Sequence, residues 1–163
     1  MRDGSDKRSE EPEKGAVMTW QDENSRQIER LIDEAAAGRR KAYAPYSGYL
    51  VGAALLAEDG TVYTGCNIEN AAFSPTICAE RTAIAKAVSE GVREFEAICI
   101  IGGKAEEEIP SSYAAPCGSC RQVMREFCRP DRFHVILARD KDHYSVYTLD
   151  QLLPEGFGPD NLA

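Results

Sequence analysis

Two short cysteine stretches, CAE at residues 78–80 and PCGSC at residues 116–120, constrain the fold of this chain more than any other feature of its sequence. Cys117 and Cys120 are three residues apart, so on a helical turn both thiols lie on one face and can bind the same ion. Cys78 supplies a third thiol with an acid, Glu80, two residues later. Because structural zinc sites usually have four protein ligands, three thiols and a nearby acid predict an open, catalytic Zn²⁺ site.

Both stretches fall where helices are predicted to begin. A helix N-terminus carries partial positive charge and free N–H groups, which stabilise a thiolate and offset the excess negative charge of three such ligands. Arg81 follows Cys78 by three residues, so it is predicted to hydrogen-bond the thiolate from outside the ligand set; a surface ion pair is the alternative. Glu80 lies on a different helix face from Cys78 and is predicted to shuttle protons at the border of a substrate cavity; otherwise it is a solvated glutamate.

Hydrophobic periodicity predicts helices and strands in mixed order along the chain. Asp59 and Gly60 predict a two-residue hairpin turn between the first two strands. The predicted order is a helix from Asp22 to Gly38, strands at 50–57 and 61–66, a helix at 76–90, a strand at 97–101, a helix at 117–128 and strands at 133–138 and 144–148. Five strands and three helices in this order predict an α/β fold, in which helices cover a sheet.

Length and composition limit the classes of function. A chain of 163 residues suits one domain, and the charged, apolar-poor residues 1–20 are predicted to be a disordered tail before a domain at 21–163. The formal net charge of −8 argues against nucleic acid as a partner and favours a small substrate. The sequence shows no apolar run of about 20 residues for a membrane span and no signal-peptide stretch, which predicts a cytoplasmic protein. Its six cysteines are then expected to be reduced.

Several longer motifs, in order, resemble one known family. They are YS at 46–47, VGAAL at 51–55, GCNIENA at 65–71, CAERTA at 78–83, PCGSCRQV at 116–123 and LLP at 152–154. The paired C-x-E and P-C-x-x-C signature is that of zinc nucleoside deaminases. From about Ala42 to Leu162 the chain resembles the small homotetrameric cytidine deaminases. This resemblance implies a three-layer α/β/α fold with a central mixed sheet of about five strands.

The resemblance also implies a reaction and roles for single residues. Cys78, Cys117 and Cys120 would hold zinc, whose bound hydroxide attacks C4 of cytosine while Glu80 moves the protons. The implied reaction converts cytidine and deoxycytidine to uridine and deoxyuridine plus ammonia, in pyrimidine salvage. The implied substrate contacts are Asn67 and Glu69 on the ribose 3′-hydroxyl, the backbone of Ala79 on the base, Tyr49 stacked on the base, and Phe157 reaching into a neighbouring subunit's site.

The sequence departs from the family pattern at Phe73, where many relatives carry tyrosine, and this change affects the expected fine specificity. The Tyr49 side chain could pack within its strand layer instead of stacking on the base. Two other functions stay open at this stage. One is a deaminase for an aminonucleoside antibiotic of the blasticidin type or for nucleic acid, and the other is a non-enzymatic structural zinc module closed by Cys128 or His134. Neither His134 nor His143 has an acid two residues later beside an apolar helix, so neither is expected to be a catalytic ligand.

Overall fold

The computed structural model describes residues 19–162. The tail predicted at residues 1–20 therefore lies outside the described part of the chain, except for Thr19 and Trp20. These two residues belong to the first helix: the Thr19 side chain accepts a hydrogen bond from the backbone N–H of Asp22 and caps it, and Trp20 is its first residue. Trp20 also packs against the sheet, stacked on His134 with ring centroids 4.1 Å apart.

Helices and strands alternate much as the periodicity predicts. The helices are α1 (Trp20–Glu23), α2 (Ser25–Arg39), α3 (Ala79–Ser89), α4 (Gly118–Phe127) and α5 (Leu149–Leu152), with a 3₁₀ turn at Pro159–Asn161. The strands are β1 (Tyr49–Ala57), β2 (Val62–Cys66), β3 (Phe95–Lys104), β4 (His134–Ala138) and β5 (Tyr144–Thr148).

The five strands form one mixed sheet in the order β2-β1-β3-β4-β5. The pairs β1/β2, β1/β3 and β4/β5 are antiparallel, and β3/β4 is parallel. In the register, Gly52 of β1 lies between Cys66 of β2 and Ile101 of β3. The parallel pair requires a crossover, and α4 supplies it between β3 and β4.

Helices cover both faces of this sheet, so the predicted three-layer α/β/α fold is confirmed. On one face, Ile28, Leu31 and Ala35 of α2 are buried against alternate residues of β1, β3 and β4. On the other face, α3, α4 and α5 pack on the residues between them, in a cluster that includes Ile84, Met124 and Leu149. The cysteine stretches both belong to this second face.

Two glycines allow helices to lie unusually close to the sheet. A Cβ at Gly52 would overlap the backbone of α2 at Ala35 and Arg39, and a Cβ at Gly65 would lie 2.5 Å from the backbone nitrogen of Ala83 in α3. The second contact sets how closely the first turns of α3 approach β2. It therefore helps to fix the position of Cys78, which precedes that helix.

The structure corrects several of the predicted boundaries. The helix predicted from Asp22 to Gly38 is interrupted at Asn24, which separates α1 from α2. The third helix begins at Ala79 instead of residue 76, because Thr76 and Ile77 bond to the preceding loop through Phe73 and Ile68. The strand predicted at 97–101 extends over Phe95–Lys104. The hairpin loop has three residues, 58–60, between the hydrogen-bonded Ala57 and Thr61, and Gly60 has φ +86°. Three-residue hairpin loops commonly end in a residue with a left-handed backbone conformation, and glycine adopts that conformation readily.

Candidate metal centre and active site

The structure places two of the three cysteines at the N-cap positions of helices. Cys78 caps α3 with φ −77° and ψ 156°, and Cys117 caps α4 with φ −66° and ψ 164°. Both have extended backbones, as N-cap residues usually do. Cys120 is the third residue of α4 and is fully buried. The prediction that both stretches lie at helix starts is therefore confirmed.

The three thiols converge on one point. The Sγ atoms of Cys78 and Cys117 are 3.9 Å apart, and those of Cys117 and Cys120 are 3.4 Å apart. All three sulfurs lie within 4.8 Å of one another, and among the described residues they form the metal-binding cluster without a fourth protein ligand. A tetrahedral ion held by these three thiols would have one position left for a non-protein ligand.

The electrostatics of the cluster fit a divalent cation that prefers soft ligands. Hydrogen bonds from Cys120 and Arg81 lower the pKa of Cys78 to about 5, against the opposing effect of burial. Cys120 has a raised pKa, because it donates to the Cys78 thiolate and is itself buried. Three thiolates at these distances would repel one another, and a bound cation removes that repulsion. The donor set matches zinc, which favours tetrahedral sulfur ligands.

Arg81 lies beside the cluster where its spacing predicts. Its Nη2 donates to the Sγ of Cys78 at 3.7 Å and to the carbonyl oxygen of Thr76 at 3.3 Å. The Thr76 carbonyl belongs to the loop that leads into α3. The guanidinium therefore places positive charge next to the Cys78 thiolate and holds the loop that precedes α3. The hydrogen bond to Cys78 is the chief cause of the raised pKa of Arg81.

Glu80 is one of two charged residues that are buried in the described structure, with 4 % of its surface exposed. Burial raises the pKa of its carboxyl, and the negative charge of Cys78 acts in the same direction. A carboxyl in such surroundings keeps its proton to a higher pH than a solvated glutamate does. Because Glu80 is outside the metal-binding cluster, its carboxyl is available for proton transfer.

Tyr49 and Asn67 lie at the end of the sheet near this helix layer. The half-buried Tyr49 begins β1, and its ring is near Gly102 of β3, on the sheet face that carries α3 and α4. The Asn67 side chain fastens the same strand: its Oδ1 accepts from the Val51 N–H at 2.8 Å, and its Nδ2 donates to the Tyr49 carbonyl at 2.8 Å. Asn67 thus has a structural contact that the sequence did not reveal.

Glu69 and Phe73 belong to the loop between β2 and α3. The Oε2 of Glu69 accepts from the backbone N–H groups of Tyr46 and Ser47, at 2.9 and 3.2 Å. Hydrogen bonds from the Ser47 side chain and from the Tyr46 backbone lower the pKa of Glu69. Phe73 has φ +51° and is 75 % exposed, with its ring edge-on to Tyr46 at 6.4 Å. The loop therefore presents an aromatic side chain to the outside of this chain.

The family model described as the cytidine and deoxycytidylate deaminase zinc-binding region matches residues 25–136, which include all three cysteines of the cluster. This chain belongs to the cytidine and deoxycytidylate deaminase family. Its membership confirms the predicted family and the prediction that the chain is a zinc-dependent enzyme.

Individual proteins that are similar to this deaminase-family chain are named cytidine deaminases. It is 51 % identical to the cytidine deaminase of Sporosarcina psychrophila over 83 % of this chain and 95 % of that protein. It is 45 % identical to the cytidine deaminase of Halalkalibacterium halodurans over 81 % of this chain and 95 % of that protein. The solved structure of cytidine deaminase from Burkholderia pseudomallei is similar with a TM-score of 0.71 at 45 % identity, over 78 % of this chain and 97 % of that chain.

The structure does not support a closed structural zinc site in this family member. His134 lies on the opposite sheet face from the cysteines, where it stacks on Trp20. Cys128 is the C-cap of α4, at the opposite end of the helix from Cys117. His143 pairs with Asp140 at 2.8 Å in the turn after β4. Within residues 19–162, the metal-binding cluster includes none of these three side chains.

Sequence reasoning missed Arg121, which follows Cys120 in α4. Its Nε donates to the carbonyl of Pro116 at 2.8 Å, and its Nη1 donates to the carbonyl of Leu152 at 2.6 Å. Arg121 thus ties the residue before Cys117 to the end of α5. Its position directly after the motif was the only signal, because the partner carbonyl is 31 residues away.

Phe157 lies apart from the other predicted substrate residues, beside the exposed face of α4. Its backbone carbonyl accepts from Gln122 Nε2 at 2.9 Å, and its side chain is 58 % exposed. Ala79, by contrast, is the first residue of α3 and is fully buried next to the cluster.

Across residues 19–162, each helix is too short or too polar to cross a bilayer.

Proposed function

We propose that this protein catalyses the hydrolytic deamination of cytidine and deoxycytidine, giving uridine and deoxyuridine plus ammonia. One observation carries the proposal: three convergent thiols and the buried Glu80 lie together at the first turns of two helices. Family membership supports the reaction class, since the relatives named above are cytidine deaminases. A place in pyrimidine salvage and a cytoplasmic location remain predictions.

Cys78, Cys117 and Cys120 would hold the zinc ion. When bound, zinc would supply a Lewis acid that makes water acidic enough to attack C4 of the cytosine ring at neutral pH. Arg81 would balance part of the thiolate charge through its bond to Cys78. The positive ends of α3 and α4 would do the same, because both helices begin at ligands.

Glu80 would carry the protons between water and substrate. Its carboxylate would take one proton from the attacking water and deliver it to ring N3. It would then transfer the second water proton to the departing amino group, so that water and the amino nucleoside become the keto nucleoside and ammonia. The raised pKa of Glu80, caused by its burial, makes its carboxylate a stronger proton acceptor than a solvated glutamate, as this role requires.

The proposed substrate contacts are consistent with the structural bonds already described. An asparagine side chain has two N–H donors and two acceptor lone pairs, so Asn67 can anchor β1 and still bind a ribose hydroxyl. The backbone bonds of Glu69 both use Oε2, which leaves Oε1 to accept from the 3′-hydroxyl. Tyr49 would stack on the base, and the backbone of Ala79 would contact its edge.

Phe157 would complete the pocket of a neighbouring subunit in a homotetramer. The exposure of its ring, together with that of Phe73, supports an assembly in which these side chains become covered. The formal net charge of −8 supports a free nucleoside over a polynucleotide substrate, because phosphate backbones would be repelled.

The deciding assay follows ammonia release from cytidine, with and without a chelator, alongside the zinc content of the protein. We expect one zinc per chain, release from cytidine and deoxycytidine, and loss of activity on chelation. CMP, a short RNA and a blasticidin-type nucleoside, tested at the same concentration, should react far more slowly. Zinc-loaded protein that releases ammonia from the antibiotic but none from cytidine would overturn the proposal.

A further inference from the structure

The last residue of α5 and the segment after it are fastened to α4 by three side chains of that helix. Arg121 bonds to the Leu152 carbonyl, Gln122 bonds to the Phe157 carbonyl, and Arg125 pairs with Asp160. Residues 121, 122 and 125 have the spacing of one helix face. The helix that supplies two of the three thiols thus also holds the segment that carries Phe157.

The Arg125 side chain is largely enclosed although its ion-pair partner is exposed. Its Nη2 is 2.9 Å from Asp160 Oδ2, yet its side chain is only 11 % exposed whereas that of Asp160 is 81 % exposed. The exposed Asp160 carboxylate therefore covers little of the Arg125 side chain. Gly158 accounts for more, because a Cβ there would lie 2.6 Å from Nη1 and 2.8 Å from Nε of Arg125. The guanidinium lies directly on the backbone of Gly158.

Phe157 precedes this contact and has a fixed backbone with an exposed ring. Gln122 holds its carbonyl, and the N–H of Gly158 donates to the Asn161 side chain at 2.8 Å. The Asn161 N–H bonds back to the Gly158 carbonyl at 3.0 Å. Phe157 as a residue is 58 % exposed. These bonds fix the two peptide groups that follow Phe157, and with them the backbone from which its ring projects.

We propose that Arg125, seated on Gly158, is a positioning residue that directs the Phe157 ring and thereby sets the affinity of the pocket for its nucleoside. This inference rests on the proposed function, in which Phe157 completes the site of a neighbouring subunit. A ring held in its bound direction before the substrate arrives loses less conformational freedom on binding. Arg125 acts through Phe157 and so affects binding more than the chemical step.

The test compares steady-state kinetics with cytidine for Arg125→Ala, Gly158→Ala and Phe157→Ala. Because an aromatic contact contributes about 1 kcal/mol, Arg125→Ala should raise KM about fivefold, with kcat within about twofold of wild type and zinc content unchanged. Gly158→Ala should also raise KM about fivefold, because its added methyl group would push the Arg125 guanidinium away. Amide hydrogen exchange of residues 154–162 should become faster in both variants.

A double variant separates positioning from a general structural role. If Arg125 acts through the ring, Arg125→Ala should raise KM no further in the Phe157→Ala background. Arg129→Ala is the matched control: this arginine follows α4, is 68 % exposed, pairs only with the exposed residue Asp131 among the described contacts, and should match wild type.

Two results would overturn the inference while leaving the proposed function intact. One is an active Arg125→Ala enzyme with unchanged KM, and the other is an equal further rise in KM in the Phe157→Ala background. A wild-type protein that releases no ammonia from cytidine would instead refute the proposed function itself.

Discussion

The Sγ of Cys78 lies 3.9 Å from the Sγ of Cys117, although the two residues are 39 positions apart in the chain. Each is the N-cap of its helix, so the close approach of two helix starts creates the site. The sheet imposes this approach, because α3 and α4 pack on the same face of it. The thiols consequently meet where two positive helix ends converge, which favours thiolates over thiols.

Loss of a single clustered thiol should release the metal. We expect Cys117→Ser to lower zinc content from about one per chain to well below one, because hydroxyl is a poor substitute for a soft thiolate. The melting temperature should fall as well, since metal binding stabilises the folded state. Elemental analysis and thermal unfolding measure the two effects.

Cys66→Ser is the control for that experiment. Cys66 is half-buried at the end of β2, and its Sγ contacts the Lys41 carbonyl outside the cluster. This variant should keep its zinc. Full zinc retention by Cys117→Ser would show that the cluster does not bind the metal.

Replacement of Glu80 by glutamine should remove proton transfer while preserving the shape of the site. General acid–base catalysis contributes about 10²- to 10⁴-fold in rate, so kcat should fall by roughly that factor. Zinc content should not change, because Glu80 is outside the thiol cluster. Cytidine turnover and zinc stoichiometry, measured on the same preparation, check both points. Turnover within tenfold of wild type would exclude the proposed role.

The centre of the site was predictable because its signals are local. Cys117, Cys120 and the helix they begin lie within one stretch, and so do Cys78, Glu80 and Arg81. Spacing on a helical turn decides which of these side chains share a face. The central strands were predictable for a similar reason, because β1, β3 and β4 contain apolar runs that lie between turn residues.

Contacts from side chains to distant backbone groups were not predictable. Asn67 bonds to the main chain of Tyr49 and Val51, and Arg39 bonds to carbonyls up to 69 residues away. Backbone carbonyls are present at every residue, so the sequence does not mark which one a side chain will reach. The helix beginning at Ala79 was misplaced for the same reason, since loop bonds hold Thr76 and Ile77 outside it.

Arg39 should be important for stability. It is 8 % exposed at the last position of α2, and its guanidinium donates to the carbonyls of Leu50, Lys104, Glu107 and Glu108 at 2.7 to 3.3 Å. Arg39→Met keeps the apolar stem and leaves these carbonyls without their charged donor. We expect the free energy of unfolding to fall by about 2–4 kcal/mol.

Urea unfolding of Arg39→Met and Arg40→Met provides a matched comparison. Arg40 is the exposed neighbour, and its replacement should change stability by less than about 0.5 kcal/mol. A cavity of about 390 Å³ that Arg39 lines allows water to reach the freed carbonyls, which favours the lower half of the range. Equal stability of the two variants would show that the four carbonyls do not need the guanidinium.

His134 should make stability depend on pH. Burial lowers its pKa, against the opposing effect of Glu96, and its buried Nδ1 has no hydrogen-bond partner among the described residues. An unfolded histidine has a pKa of about 6.5, so between that value and the lowered folded pKa the unfolded chain binds more protons. Stability should therefore decrease as pH falls below about 6.5.

The variant His134→Phe isolates this effect, because phenylalanine keeps a ring against Trp20 but does not titrate. We expect the difference in unfolding free energy between wild type and variant to be constant above pH 7.5 and to move in favour of the variant as the pH decreases to 5. Chemical denaturation at each pH measures it. Other groups titrate in the same range, including Cys78 with a pKa of about 5, but they are common to both proteins and cancel in the difference. A difference that stays constant from pH 7.5 to 5 would mean that His134 has the same pKa in the folded and unfolded chain.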